Sequence, residues 1–232
     1  MPLKVDEERI LRNVIELRVL ELAGAPDAVA DVREDLERLV GPTVGRAVAA
    51  RVLGVSQTAL DRHVSSCAVG VVETPYGRLE VPLGELVSLA VDRRRHAAAR
   101  RPLSAALAER RERASRLTAG QLLLPHTDGH RTGHRRAELQ SLAYHRAVAL
   151  RLDRQLVRDA RRRLRRWRAD GRIDPGWADR WESALEEPPG EIRRLLVRDD
   201  PDAADLRQTS PFAGSLSEPE RRRVLELLGR SS

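Results

Sequence analysis

Residues 43–60 (TVGRAVAARVLGVSQTAL) constrain the fold most, because small and apolar residues surround one glycine at a fixed spacing. Ala50 stands four residues before Gly54, and a small residue there lets a second helix cross closely. Gly54 can adopt the positive φ that ends a helix in a tight turn. Ser56 is a strong N-cap for a following helix. This spacing predicts a helix-turn-helix, with Thr43 capping its first helix.

The next segment, residues 71–82 (VVETPYGRLEVP), carries the signal of a β-hairpin. Two β-prone runs flank a turn at residues 75–77. Pro82 then predicts the first position of another helix, because proline is preorganised there. A helix-turn-helix followed directly by a short hairpin is a winged helix.

Two stretches, ARVLGVSQTALDRHV and TPYGRLEVPLGEL, resemble the MerR/excisionase type of winged helix-turn-helix. In that family AxxLGVSxxTLxR precedes a two-stranded wing with Gly-Arg and a helix led by proline. The resemblance covers less than a quarter of the 232 residues. His63 departs from it, since the family often has a large aromatic residue there. The resemblance implies sequence-specific DNA binding.

The second helix of the motif begins with polar residues that are expected to point outward. In a helix-turn-helix this end enters the major groove, where glutamine can pair with adenine and arginine with guanine. Arginines of the first helix, the wing and the following helix are candidates for phosphate contacts. The predicted DNA-binding residues are Arg46, Arg51, Ser56, Gln57, Thr58, Asp61, Arg62, Arg78 and Arg93. The alternative is an ordinary polar surface.

The net charge of +7 is unevenly distributed. Residues 93–118 carry 9 basic and 2 acidic side chains, and residues 131–172 carry 14 and 4. This basic middle predicts a polyanionic partner, although solvated arginine-rich helices would look alike. Residues 41–92 carry only 4 basic against 5 acidic side chains. Phosphate neutralisation supplies most non-specific affinity, so we expect a homodimer or help from the arginine-rich segments.

Aromatic residues make up only 3% of the chain, so its core must be Leu, Val and Ala. This favours helices packed on helices, and we predict a mainly α fold with a small β-hairpin wing and a C-terminal helical domain. Apolar periodicity predicts helices over 6–23, 27–40, 82–101, 103–117, 134–169, 174–187, around 192–196, 201–206 and from 217. The predicted domains are 1–42, 43–100, 101–133 and 134–232. The tryptophans are expected in the core.

Residues 207–212 (RQTSPF) resemble the end segment of actinobacterial helix-turn-helix antitoxins that accompany PIN-type ribonuclease toxins. That resemblance implies a repressor that is also the antitoxin of a type II toxin–antitoxin module. The residues it implies for partner binding are Arg207, Phe212, Arg221 and Arg222. The alternative is a helical subdomain that closes its own core, and Ser217 with Glu220 predicts a capping box there.

Other functions find less support in the sequence. We recognise no catalytic constellation and expect neither an enzyme nor a cofactor. His126, His130 and His134 lie around a glycine-rich loop with Asp128, a weak pattern for a metal site. Cys67 is the only cysteine, which fits a reducing cytoplasm. The first ten residues lack the apolar run of a signal peptide, so none is expected, and no run is long enough to span a membrane. Alternatives to the repressor are an excisionase-like or architectural DNA-binding factor and a protein-interaction adaptor.

Overall fold

The computed structural model describes residues 6–118, 120–122 and 133–230. Over these residues the chain is mainly α-helical, with one small antiparallel sheet. It divides into two compact units, Met1–Glu112 and Arg113–Ser232. The division falls inside a helix. No helix in the described part of the chain is long and apolar enough to cross a bilayer.

The first unit consists of helices and three short strands. Its elements are α1 (Glu7–Leu22), α2 (Asp27–Val40), β1 (Thr43–Gly45), α3 (Arg46–Val52), α4 (Gln57–Ser65), β2 (Val72–Glu73), β3 (Leu79–Pro82), α5 (Leu83–Arg95) and most of α6 (Pro102–Ser115). Aliphatic side chains fill its core, as the composition predicts. The most deeply buried are Leu11, Val14, Leu53, Leu60, Val81, Leu86, Leu89 and Leu107.

The sheet has the order β1-β3-β2, and both pairs are antiparallel. The predicted hairpin is therefore present, but β1 was not predicted. Thr43 is not a helix cap; it pairs with Pro82 across the sheet, and Gly45 precedes α3 as its N-cap. Three residues are too few for the alternation that identifies a strand in a sequence. Pro82 ends β3 as the N-cap residue of α5, so its prediction as a first helical residue was wrong by one position.

Helix α2 has the predicted limits, but two of its apolar side chains face solvent. Val32 and Leu39 are 52% and 72% exposed. Ala30 and Arg33 lie inside instead. The Arg33 guanidinium forms ion pairs with Glu21 and Glu37, so an arginine occupies a position that periodicity assigns to an apolar residue.

The second unit consists of helices only, within its described residues. They are α7 (Gly133–Arg151), α8 (Arg154–Ala169), α9 (Pro175–Glu186), α10 (Pro189–Val197), α11 (Pro201–Gln208) and α12 (Glu218–Arg230). At its centre the rings of Trp181 and Phe212 meet edge to face at 5.9 Å, both fully buried. The indole N–H of Trp181 donates to the Leu206 carbonyl at 3.1 Å. Trp167 and Trp177 pack against this core while partly buried.

The predicted single helix over 134–169 was wrong, because α7 and α8 are separate. Asp153 begins α8 as its N-cap, and its carboxylate accepts the Leu156 N–H at 2.7 Å. The Leu152 carbonyl, which no longer continues α7, accepts a hydrogen bond from Arg193 at 2.6 Å. Side chains thus satisfy the main-chain groups that the break exposes. Apolar periodicity continues across the break, which hides it in the sequence.

Candidate nucleic-acid interface

Helices α3 and α4 are joined by the tight turn that the sequence predicts. Gly54 has φ +64°, and its N–H donates to the Arg51 carbonyl at 3.0 Å. The Val55 N–H donates to the Ala50 carbonyl at 3.0 Å, which closes the end of α3. Ser56 is the N-cap of α4, and its hydroxyl accepts the Ala59 N–H at 3.2 Å. Helix α4 therefore starts at a fixed point relative to α3.

Helix α4 carries the predicted base-reading residues. Gln57, Thr58 and Arg62 are exposed. Thr58 and Arg62, four residues apart, are neighbours on one side of the helix, and Gln57 lies about 100° around the axis from Thr58. Within the described structure, the Arg62 guanidinium has no hydrogen-bond or ion-pair partner. Asp61 lies beside them but is half-buried, and its carboxylate is 2.8 Å from the Arg46 guanidinium. Two predicted DNA contacts, Arg46 and Asp61, are thus paired with each other.

The hairpin presents a polar and aromatic tip to solvent. The Thr74 N–H donates to the Arg78 carbonyl at 2.8 Å, and Gly77 turns the chain with φ +71°. Arg78 is exposed, and its guanidinium has no partner among the residues described. Tyr76 is 90% exposed, the highest value among the large exposed hydrophobics. Tyr76 was not predicted as a site residue, although its position between Pro75 and Gly77 in a turn could have indicated it.

Arg93 lies against the turn between α3 and α4. Its Nη2 is 2.9 Å from the position that a Cβ on Gly54 would take. The side chain is half-buried and has no charged partner in the described ranges. The next two arginines differ, since Arg94 pairs with Glu16 at 2.8 Å and Arg95 with Asp92 at 3.2 Å. Arg93 therefore adds an uncompensated positive charge beside the start of α4.

Helix α1 contributes acidic side chains to this surface, which the sequence did not predict. Glu8 accepts from Arg51 at 2.8 Å and from Arg12 at 2.6 Å. These hydrogen bonds, the one from Arg51 first, lower the pKa of Glu8. Glu16 likewise has a lowered pKa, chiefly through its hydrogen bond from Arg94. Arg51 is therefore already neutralised, and Arg62, Arg78 and Arg93 are the predicted contacts that keep an uncompensated charge.

His63 occupies the position where the resembled family often has an aromatic residue. Its side chain is half-buried, and its pKa is lowered by burial and then by the nearby charges of Arg111 and Arg62. Its carbonyl accepts the Ala68 N–H at 2.9 Å and so ends α4. An imidazole with a lowered pKa adds little positive charge to this surface near neutral pH.

The residues predicted to bind a protein partner lie in the second unit and have divergent environments. Phe212 is fully buried, and Arg207 is only 5% exposed, with its guanidinium donating to the Arg198 carbonyl at 2.5 Å. Both support the core, and neither is offered to a partner in this structure. Burial lowers the pKa of Arg207. Arg221 is exposed but paired with Glu218 at 2.9 Å, and Arg222 is exposed.

The histidine loop lies largely outside the described residues. His126, His130 and Asp128 fall there, as does the side chain of His134. In the part of the chain that is described, no three His, Cys, Asp or Glu residues converge as metal ligands would.

Comparison with known proteins assigns no family to this chain. No family model, curated protein or solved structure matches it. Function must therefore be inferred from the geometry and charge of the two units.

Proposed function

We propose that this chain is a sequence-specific DNA-binding repressor, whose first unit acts as a winged helix-turn-helix. The observation that carries the proposal is that Gln57 and Thr58 in the first turn of α4 and Arg62 in its last turn are all exposed. Glutamine and arginine are the side chains that form bidentate contacts with adenine and guanine. The capped start of α4 holds these side chains on a rigid support, as base reading requires.

The surroundings of α4 support backbone contacts on both sides of these base-reading residues. Arg93 lies at the turn before α4, and Arg78 lies on the hairpin after it. Both keep uncompensated charges, which is what a phosphate contact needs. Together with Arg62, these two side chains give three uncompensated positive charges around α4 in the described structure. Three charges provide little affinity for DNA at physiological salt, so we propose a homodimer that binds two half-sites.

The second unit supports a more specific form of the proposal. A helical unit with its own core exceeds what DNA reading needs, which favours a second binding partner. We propose that this partner is a PIN-type ribonuclease toxin and that the chain is its antitoxin. With Arg207 and Phe212 buried, the exposed arginines at the start of α12, Arg221 and Arg222, are the candidate contacts.

A footprint on the promoter upstream of the gene tests DNA binding. We expect protection that weakens with salt, and a loss of operator affinity of about 1–3 kcal/mol for each base contact removed by Gln57→Ala and Arg62→Ala. Arg38→Ala, an exposed arginine on α2, is the control and should keep full affinity. Equal binding to operator and random DNA would refute sequence reading and favour an architectural factor. A complete lack of DNA binding would favour the alternative that the chain is a protein-interaction adaptor.

Copurification with the product of a neighbouring gene tests the antitoxin form. We expect Arg221→Glu with Arg222→Glu to release the partner while DNA protection persists. If the chain fails to relieve the partner's toxicity in cells, the antitoxin proposal is wrong and the repressor proposal stands.

A further inference from the structure

Five arginines form a straight row on the exposed face of α8. They are Arg154, Arg158, Arg161, Arg165 and Arg168. Their alternating spacing of four and three residues keeps them within an arc of about 80° around the helix axis. With a rise of about 1.5 Å per residue, the row is about 21 Å long. We call this row the arginine stripe.

Most of the stripe's charge is uncompensated. Only Arg168, among stripe members and within the described structure, has carboxylate partners, Asp179 at 2.8 Å and Glu182 at 2.7 Å. Arg158 donates to a glutamine amide oxygen of the same helix, and Arg161 donates to a main-chain carbonyl near the end of α9. Both acceptors are neutral, so the two guanidinium charges remain.

The remaining two members, Arg154 and Arg165, have no hydrogen-bond or ion-pair partner within the described ranges. The stripe therefore offers four positive charges along one side of a helix. Like charges four residues apart destabilise an isolated helix slightly, so this arrangement is not one that folding favours.

An adjacent side of α8, about 60–120° around the helix axis from the middle of the stripe, holds the stripe in place. Val157, Ala160 and Leu164 are buried in the core of the second unit. Asp153 caps the start of the helix, and Asp170 ends it. Because the helix is anchored along its length, the guanidinium groups project from a rigid support.

The composition of this face indicates the kind of partner that fits it. Protein interfaces usually have an apolar or aromatic centre, and none of the large exposed apolar side chains in the described structure belongs to α8. Single-stranded nucleic acids are bound by exposed aromatic rings, whereas Trp167, the aromatic residue of α8, packs against the core. A row of guanidinium groups alone matches a regular series of phosphates.

We propose that the arginine stripe binds the phosphate backbone of double-stranded DNA without reading its sequence. Phosphate contacts of this kind supply affinity and position a protein, while base contacts supply selectivity. The stripe would thus provide the charge that residues 41–92 lack. The proposal does not depend on base reading by α4, because it concerns binding to DNA of any sequence.

The test measures how the affinity of the full chain for a random-sequence duplex depends on salt. Three stripe members are replaced together, Arg154→Gln, Arg158→Gln and Arg165→Gln; glutamine keeps a similar helix propensity. Each lost phosphate contact should reduce the slope of log K against log salt by about 0.9, so we expect a reduction of about 2–3.

Two further variants separate the stripe from net charge and from misfolding. Arg136→Gln, Arg172→Gln and Arg194→Gln remove the same charge from other exposed positions of this unit and should leave most of the slope. Arginine-to-lysine changes at the three stripe positions should restore it. An equal effect of both glutamine sets, an unchanged slope, or no binding of the wild-type chain to random duplex would overturn the proposal. Loss of operator preference alone would affect only the proposed base reading.

Discussion

The guanidinium of Arg110 donates to the carboxylate of Asp92 at 2.7 Å, deep inside the first unit. The same side chain donates to Glu85 and to the Ser88 hydroxyl, each at 2.8 Å, and is only 1% exposed. It therefore joins α6 to three positions of α5. Removal of one member of a buried ion pair leaves its partner charged and without compensation.

We expect Arg110→Ala to lower the free energy of unfolding by about 3–5 kcal/mol for this reason. Urea unfolding followed by circular dichroism measures the change. Arg111→Ala is the matched control, since its side chain is exposed, and it should cost no more than about 0.5 kcal/mol. Equal effects of the two substitutions would contradict the structural role of Arg110.

Gly54→Ala should destabilise the first unit. A positive φ costs a residue with a Cβ about 1–2 kcal/mol, and the new Cβ would also displace the Arg93 guanidinium. Gly84→Ala is the control, because Gly84 is in α5 with no atom within 4 Å of a Cβ there. That change should stabilise by up to about 1 kcal/mol. Arg93→Ala should recover part of the Gly54→Ala loss, and thermal unfolding of the double variant checks this.

His145 should make the second unit less stable in mild acid. Burial lowers its pKa from 6.5 to about 4, and the charge of Arg207 adds to this, while a hydrogen bond to the Ser141 carbonyl opposes it. Since the unfolded chain then binds a proton more readily, this contribution is full above pH 6.5 and is lost as pH falls toward 4. The free energy of unfolding should fall by about 3 kcal/mol from this cause.

The His145→Gln variant isolates this contribution from the carboxylates that titrate in the same range. Its unfolding free energy should depend less on pH than that of the wild-type chain between pH 6.5 and 4. Parallel curves for the two proteins would show that His145 is not held neutral.

Asp61→Asn should strengthen binding to DNA of any sequence, if the first unit binds DNA as proposed. The change removes a negative charge from beside the base-reading residues and frees Arg46, which is 2.8 Å away. One new phosphate contact would steepen the salt dependence by about 0.9. Fluorescence anisotropy with a random duplex measures it, and Asp35→Asn on α2 serves as the control. An unchanged slope would mean that Arg46 does not reach phosphate.

Sequence patterns between neighbouring residues predicted the start of α4 correctly. They did not predict ion pairs between residues that are far apart in the chain. Ser56 and Gly54 act on their own neighbours in the chain, so the sequence was enough to predict their roles. The N-cap at Ser56 and the positive φ at Gly54 are both confirmed. Arg110 and Arg33 look like ordinary solvated arginines on helices, and only the fold brings their acidic partners to them. The Arg51–Glu8 pair joins residues 43 positions apart in the same way.

The break between α7 and α8 illustrates a second limit. Asp153 is a good N-cap. However, apolar residues recur at helical spacing on both sides of it, so the sequence is equally compatible with an aspartate on the surface of one long helix. Phe212 shows the converse, because the resemblance of residues 207–212 implied a partner contact while its ring completes a core with Trp181. Burial of this kind depends on tertiary contacts that no local pattern records.

The pairing of Thr43 with Pro82 has a consequence for how this protein can be altered. It brings the two ends of residues 43–82 side by side, so the segment leaves and rejoins the chain at one place. A segment whose two ends lie side by side can be replaced by another segment without moving the rest of the backbone. If the first unit binds DNA as proposed, replacing residues 43–82 by a winged helix-turn-helix segment with a different α4 should change the DNA sequence that is bound, with α1, α2 and the second unit left unchanged.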